Sequence, residues 1–406
     1  MGFNFSIRIS KTDLKIGGVR FEKNIRICCA YSADNRCRLR VGERGGWLRQ
    51  ARYKGDERQL ATRAPSRRSK MIYERDVSHC SPTKYARDVT IKEVLPADNS
   101  DNLDRVVFDE IGWNAIAKRG VHQPGEVVFF IPPESVLPLE LSEALGVTKY
   151  LSKGRVKAVK LRGNRSEGLI VEKTIAEVYL DHILQWEDPP TIHMSGEQLP
   201  YAEIPVLAFP EFVKIPNLLN EPDTFHEGES VWVSEKIHGT NTRFGVHPHP
   251  ETGEATLYVG SHKTVLRETE NNVYWQAVRK NVKAELLPVG VTFYGEIYGK
   301  GIQDLHYDAS LELRVFGACE NGGYISVERL KELCKLYDIP TVDFSPVEFR
   351  NLEQAREWAD LPSNMTQSHV REGVVILARD TRGDYRSAKV IGMSYLTRAG
   401  SKTERH

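Results

Sequence analysis

The sequence predicts an α+β fold, a small closed barrel of the OB type followed by a second domain in which strands and helices mix. Three observations predict it. Five short β-rich runs fall within about 90 residues after Arg87, with turn signals between them. From residue 206 onward, strand-like runs are interrupted by helical periodicity. The 406 residues are enough for two or three domains.

Composition narrows the class. Hydrophobic residues make up 40% and charged residues 27%, the ordinary balance of a water-soluble globular chain. The longest apolar runs, such as Val127 to Ile131, fall far short of a membrane span, so no membrane partner is expected. Cys28, Cys29, Cys37, Cys80, Cys319 and Cys334 show no paired spacing. The first three read as at most half a metal site, with no second pair or histidine partners, which argues against zinc. A cytoplasmic location fits this cysteine usage best.

A net charge of +1 conceals an asymmetry. Residues 1–70 hold 18 Lys+Arg against 6 Asp+Glu, while the other 336 residues hold 38 against 49. The basic stretch shows little sustained periodicity. It reads as a nucleic-acid arm, as an Arg-rich organelle-targeting peptide, or as the upstream extension of an over-long gene model with Met71 as the working start. The last is favoured, because regular patterning begins just after Met71. Residues 1–70 are therefore expected to be a basic extension, disordered or artefactual, without function.

The barrel is expected over residues 75–180. Its strands are Val89–Val94, Arg105–Phe108, Val127–Ile131, Arg155–Leu161 and Leu169–Val171. Asp98-Asn99-Ser100-Asp101-Asn102, Arg119-Gly120, Pro124-Gly125 and Gly163-Asn164 supply the turns. Lys153, Arg155, Lys157, Lys160 and Arg162, with Arg165 beyond them, crowd one segment. A solvated strand face would explain them, and so would a face that tracks the phosphates of a nucleic acid; the fold favours the second.

Residues 181–205 read as a linker broken at Glu187-Asp188-Pro189-Pro190, and the second domain as 206–400. Helices are expected over Asn272–Leu287, with Trp275, Val278, Val282 and Leu286 on one face, and over Val327–Tyr337, capped by Ser326. Val231–Lys236 reads as a strand, Ile237-His238-Gly239-Thr240 as a hairpin turn, and Thr242–Val246 as the return strand. By itself this segment describes a surface lysine beside a turn. Later segments change the reading. Glu296 stands late in an alternating strand. Phe316 shares a face with Glu312 and Arg314, opposite Leu313 and Val315, an odd place for a core aromatic and a suitable one for stacking on a base. Glu372 and Lys389 flank a turn at Thr381-Arg382-Gly383-Asp384, on strands expected to be neighbours. Lysine, glutamate, aromatic, glutamate and lysine, each on a strand, make a site for phosphate, purine and metal.

In that order the residues resemble the covalent nucleotidyltransferase superfamily of ATP-dependent polynucleotide ligases and capping enzymes. The matching motifs are Glu235-Lys236-Ile237-His238-Gly239, Ser261-His262-Lys263, Tyr294-Gly295-Glu296-Ile297, Val315-Phe316-Gly317, Glu372-Gly373-Val374-Val375-Ile376 and Lys389-Val390-Ile391. Gly112-Trp113, Lys118-Arg119-Gly120, Gly125–Pro138 and Leu145–Arg155 resemble the N-terminal OB module of one ATP-dependent RNA ligase family. Only 17 residues follow Lys389, too few for a trailing OB domain. The domain order therefore implies the OB-first RNA ligase type rather than a DNA ligase or a capping enzyme. The implied fold is an OB-type barrel before a nucleotidyltransferase domain of antiparallel sheets flanked by helices.

The resemblance implies that Lys236 attacks ATP to form lysyl-AMP. AMP then passes to an RNA 5′-phosphate, and a 3′-OH displaces it. Glu372 would orient Mg²⁺ (or Mn²⁺) through water. Lys389 would hold the α-phosphate, with Asn241 nearby. Glu296 would bind the ribose, Phe316 stack on adenine, and Glu235 meet adenine through its backbone. Lys263 would lie near ribose or RNA, and Lys214 on a segment closing the nucleotide pocket. The expected partner is RNA with 5′-phosphate and 3′-OH ends, in a nicked duplex or an RNA/DNA hybrid, bound by a monomer. The chain departs from the family pattern twice. His238 stands where most of the superfamily has aspartate, and Ile391 where a second lysine is usual, leaving Arg386 or the barrel as substitutes. Ser166-Glu167-Gly168 imitates the Glu372 motif and is expected to be structural. Alternative readings are a catalytically silent RNA-binding protein and a capping guanylyltransferase.

Overall fold

The computed structural model describes residues 71–187, 197–200, 203–205, 208–379 and 385–398, together with strand backbone in six segments between residues 4 and 47. Met1–Arg68 form one compact unit and Ser69–His406 another. In the first unit, Asn4–Ile9, Ile25–Tyr31, Cys37–Glu43 and Gly46–Trp47 pair in that order, and Leu14–Ile16 pairs with Val19–Phe21. Strand backbone thus runs through a stretch whose sequence shows little periodicity. Within the described residues no helix is long and apolar enough to cross a membrane.

The second unit is mixed α/β, with mostly antiparallel sheets. The strands of its barrel-like part are β1 (Arg87–Pro96), β2 (Leu103–Phe108), β3 (Asn114–Lys118), β4 (Val127–Ile131), β5 (Ala158–Leu161), β6 (Asn164–Glu167) and β7 (Leu169–Val171). The sheet runs β3-β2-β1-β4-β7, and β5 and β6 form a separate hairpin. The N–H groups of Asn114 and Ile116 on β3 donate to the side chains of Glu167 and Ser166 on β6, so the sheet is nearly closed into a barrel. Val89, Ile91, Val106, Phe108, Trp113 and Phe130 fill its interior. The sequence did not suggest β3 or β6. Leu184–Gln185, placed in the expected linker, pairs with Ser135–Val136 and Ser81–Pro82.

Two further sheets follow. The first has the order β15-β8-β16-β17, from β8 (Glu229–Lys236), β15 (Ser345–Phe349), β16 (Gly373–Arg379) and β17 (Tyr385–Ile391). The second has the order β11-β10-β9-β12-β13-β14, from β9 (Thr240–Pro248), β10 (Ala255–Ser261), β11 (Val265–Leu266), β12 (Val291–Tyr298), β13 (Glu312–Glu320) and β14 (Gly323–Tyr324). The expected hairpin at Lys236 is therefore absent. β8 and β9 belong to different sheets, and Ile237-His238-Gly239 carries the chain from one to the other. A strand-turn-strand pattern is common to both arrangements; the choice is made by long-range pairing, of β8 with β16 and of β9 with β12. Gly239 is required at the crossing, since a Cβ there would lie 2.2 Å from the carbonyl oxygen of Ile297.

Helix α1 (Val273–Asn281) is capped by the Asn272 side chain, which accepts from the N–H groups of Tyr274 and Trp275. It ends six residues before the expected Leu287, because Val282 is extended and a short 3₁₀ turn follows at Ala284–Leu286. That resets the phase, so Leu287 is buried and Leu286 exposed. Helix α2 (Val327–Leu336) has the expected Ser326 cap. The main core packs α1 and α2 against the six-stranded sheet. Helix α3 (Leu352–Ala359), not expected from the sequence, packs on β16 and β17. Its Arg356 is buried and bonds both oxygens of Glu167 at 2.8 and 2.9 Å and the carbonyl of Gly112, joining the barrel to this face. The Ser166-Glu167-Gly168 imitation is structural, as expected.

Candidate active site

The site lies where β8, β16 and β17 of one sheet meet the chain crossing and β12 of the other. Lys236 ends β8, and Glu372 directly precedes β16. Lys236 Nζ donates to Glu372 Oε2 at 2.9 Å, across 136 residues of sequence. Register fixes the neighbours. Ser234 pairs with Val375 and Val375 with Lys389, while Lys236 pairs with Gly373. Directly paired residues share a face, so Lys236 and Lys389 project from the same face in adjacent rows. Gly373 allows this approach, since a Cβ would meet the Val390 carbonyl oxygen at 2.1 Å. The backbone of Lys389 is fixed in turn by Pro216 O and Leu218 N–H.

Arg386 cannot substitute for the second motif lysine. Three residues from Lys389 on a strand, it lies on the opposite face. There it pairs with Glu229 and donates to Thr224 O.

On the second sheet, Glu296 is flanked in register by Asn241 on β9 and Arg314 on β13. Its carboxyl is pushed up to about 7 by burial, with the charge of Glu372 adding and that of Lys236 opposing. Glu372 goes the other way. Burial would raise it, but Lys236 and His238 prevail and hold it at about 2. Two carboxyls in one site are thus split, one firmly ionised and one poised near neutrality. The Asn241 Oδ1 atom is buried and, among the described residues, has no hydrogen-bond partner, which leaves an acceptor open to a ligand.

Phe316 lies on a β-bulge. Tyr294 pairs with Gly317 and Gly295 with Val315, so Phe316 is the extra residue of β13. It is half-buried, beside Arg314 and Glu312 in the predicted alternation, and Phe212 meets it edge-on at 5.1 Å. Glu235 turns its side chain away from Lys236. Buried, it accepts from Ser363 Oγ and Asn364 N–H at 2.7 Å each, with Arg371 at 4.0 Å. Lys263 is exposed in the turn after β10, and the exposed Lys214 pairs with Glu187 at 2.8 Å.

His238 does more than fill a turn. Its backbone N–H donates to Tyr307 OH at 2.7 Å. Ring atom Nε2 lies 2.7 Å from Asp304 Oδ1, and Nδ1 lies 3.1 Å from Tyr395 OH and 3.3 Å from Glu372 Oε2. Asp304, Tyr307 and Tyr395 carry no motif, and nothing local in the sequence marks them.

The basic run is divided. Lys153, Lys160 and Arg162 are exposed. Arg155 pairs with Glu134 and stacks on Trp186 at 5.0 Å, and Arg165 pairs with Asp360 at 2.6 Å. Lys157 is half-buried between them. The Thr381–Asp384 turn lies outside the described residues.

Among the described residues no cluster of three or more His, Cys, Asp or Glu side chains could hold a metal by itself. Glu372, Glu296 and Asn241 Oδ1 are hard oxygen donors. Glu372, ionised, and Asn241 Oδ1 are of the kind that a hydrated Mg²⁺ or Mn²⁺ takes beside water and phosphate.

Residues 229–391 match the family model described as RNA ligase. Among solved structures the chain is similar to Naegleria gruberi RNA ligase. A mutant with ATP and Mn is 21% identical, with a TM-score of 0.65, and covers 77% of this chain and 98% of that one. The same ligase with PPi is 22% identical, with a TM-score of 0.62 and the same coverage. An apo mutant is 23% identical, with a TM-score of 0.61, covering 78% of this chain and 98% of that one. At these identities the structural likeness speaks for the fold. No match is found among curated proteins.

Proposed function

We infer that this chain, whose residues 229–391 match the RNA ligase family model, is an ATP-dependent ligase that joins an RNA 3′-OH to a 5′-phosphate. One observation carries the reading: Lys236 and Glu372, from motifs far apart in sequence, meet at 2.9 Å. The nearly closed barrel at residues 75–180 serves as the OB-type nucleic-acid module, and residues 206–400 as the nucleotidyltransferase domain.

A free lysine, with a pKa of about 10.4, is almost wholly protonated at neutral pH. Lys236 must lose a proton to attack, and its pairing with ionised Glu372 holds the ammonium in the resting site. Glu372 would release the amine on being drawn to the divalent cation that accompanies ATP. The Nζ–P bond then forms as the α-phosphorus bond to pyrophosphate breaks, and the proton leaves to water. In the second step a 5′-phosphate oxygen of RNA displaces Lys236 from the AMP phosphorus. In the third, the 3′-OH attacks the activated 5′-phosphorus and AMP departs.

Glu296 takes the ribose, Phe316 the adenine face, and Lys389 the α-phosphate. A divalent cation, when bound, neutralises charge on the phosphate oxygens, held by Glu372 through water and by Asn241. Incubation with labelled ATP and, separately, GTP tests the reading. Label from ATP alone, with sealing of a nicked RNA duplex, supports it. Label from GTP alone indicates a capping enzyme, and no label from either a silent RNA-binding protein. Replacing RNA by DNA on each side of the nick defines the substrate.

A further inference from the structure

The His238 ring is held from a loop that no motif covers. The loop 299–311 links β12 to β13, and it is tied down at both ends of a short run. Tyr307 and Asp308 both adopt left-handed backbone, at φ 54° and 56°, which non-glycine residues rarely enter. Tyr307 OH receives the His238 N–H, and the Tyr307 N–H donates to His369 Nε2 at 3.2 Å. Asp308 accepts from Ser368 Oγ at 2.6 Å and from Thr366 Oγ1. The strained run is thus pinned between the chain crossing after Lys236 and the segment that leads into Glu372.

Asp304 sits in the same loop. Its two oxygens take different partners, Oδ1 facing His238 Nε2 at 2.7 Å and Oδ2 accepting from Arg398 Nη2 at 2.8 Å. Arg398 is itself held over the Tyr395 ring, 3.5 Å from its centroid. The side chains of Asp304, His238 and Arg398 are between 13% and 21% exposed, so little water competes for these bonds. The chain Arg398–Asp304–His238 ends at Glu372 Oε2, the same atom that receives Lys236.

We propose that Asp304 is a positioning residue for the Lys236–Glu372 pair, acting through His238, so that the carboxylate usual in the Lys236 motif is replaced here by a histidine backed by a distant aspartate. Both Asp304 oxygens are taken up by protein partners, His238 and Arg398. It fixes the ring, and the ring fixes the Glu372 oxygen that must first hold Lys236 and then release it. This inference rests on the ligase reading, and its test separates the two.

Single-turnover lysyl-AMP formation is measured across ATP concentrations in the full-length protein, for wild type, Asp304→Asn and Arg398→Met, with Tm recorded for each. Loss of an outer partner of this kind lowers activity by about tenfold to a hundredfold. The expected result for Asp304→Asn is a fall of that size in maximal rate, with half-saturating ATP changed less than about threefold, and a smaller fall for Arg398→Met. In the nucleotide-free protein, acetylation of Lys236 by limiting acetic anhydride, read by mass spectrometry, is expected to quicken in Asp304→Asn as the pair loosens. Wild-type rate and wild-type Lys236 reactivity in a folded Asp304→Asn would overturn the proposal and leave the ligase reading intact. If Asp304→Asn fails to fold, Arg398→Met decides alone, and an unchanged rate there overturns the proposal. Absence of label in wild type would remove the ligase reading and this inference with it.

Discussion

Lys236 and Glu372 are joined at 2.9 Å between the last residue of one strand and the residue before its neighbour. The contact depends on the register of β8 with β16, which sets Lys236 opposite Gly373. Removing the charge at Glu372 frees Lys236 but also removes the anchor proposed for the cation. Glu372→Gln is therefore expected to lower lysyl-AMP formation by about a hundredfold or more. Quenched-flow labelling with ATP measures it. A faster rate in the variant would mean that Glu372 only restrains Lys236.

The split between Glu296 and Glu372 predicts a pH dependence of stability. Glu296 is raised to about 7, so the folded state binds its proton more tightly than the unfolded chain does. Its contribution to stability is full below the ordinary carboxylate range and is lost as pH rises toward 7. Glu372, lowered to about 2, contributes above the ordinary carboxylate range, and that contribution is lost as pH falls toward 2. Glu296→Gln should raise Tm at pH 8 by roughly a few °C and leave it nearly unchanged at pH 4.5. A difference between the two proteins that ignores pH would contradict this.

Gly239 has no room for a side chain, because a Cβ would stand 2.2 Å from Ile297 O. Gly239→Ala is expected to cost about 1–3 kcal/mol in urea unfolding. Adenylation should fall as well, since the crossing that aims Lys236 must shift. Wild-type stability in this variant would show that the crossing yields easily.

The buried Arg356–Glu167 pair links α3 to the barrel at 2.8 Å. Breaking one side leaves an unpaired buried charge, so Arg356→Met should destabilise by about 3–5 kcal/mol. Arg356→Met with Glu167→Met should recover part of that loss. Equal losses in the single and double variants would indicate that the pair is not coupled.

Lys160 and Arg162 are the exposed positive charges of the β5–β6 hairpin. Reversing both to glutamate should weaken sealing of nicked RNA, with the log–log salt slope of binding falling by about 0.7–0.9 per lost phosphate contact. Lysyl-AMP formation should persist. Arg155→Glu should instead destabilise the fold, because Arg155 pairs with Glu134 and stacks on Trp186. An unchanged salt slope in the double variant would move the nucleic-acid path elsewhere.

These residues also show what the sequence could and could not reveal. Alternation along β13 was legible because it is local, and it set Phe316 beside Arg314 and Glu312. The Ser326 cap was legible for the same reason. Pairing of the Glu372 and Lys389 segments followed from two apolar runs around one turn. The change of sheet after Lys236 was hidden, since a hairpin and a crossing share the same local pattern. The bulge at Phe316 depends on the register between β12 and β13, which no single segment encodes. Asp304 was invisible because its meaning lies in contacts with His238 and Arg398, 66 and 94 residues away. Arg155 was read as a surface cation because its charge was visible and its partners Glu134 and Trp186 were not.

The most direct test of the account is peptide mapping of the protein after incubation with ATP and Mg²⁺. The prediction is a single AMP adduct, on the peptide containing Lys236, acid-labile as a phosphoramidate is and absent from Lys236→Ala. An adduct on another lysine, or continued labelling of Lys236→Ala, would contradict it.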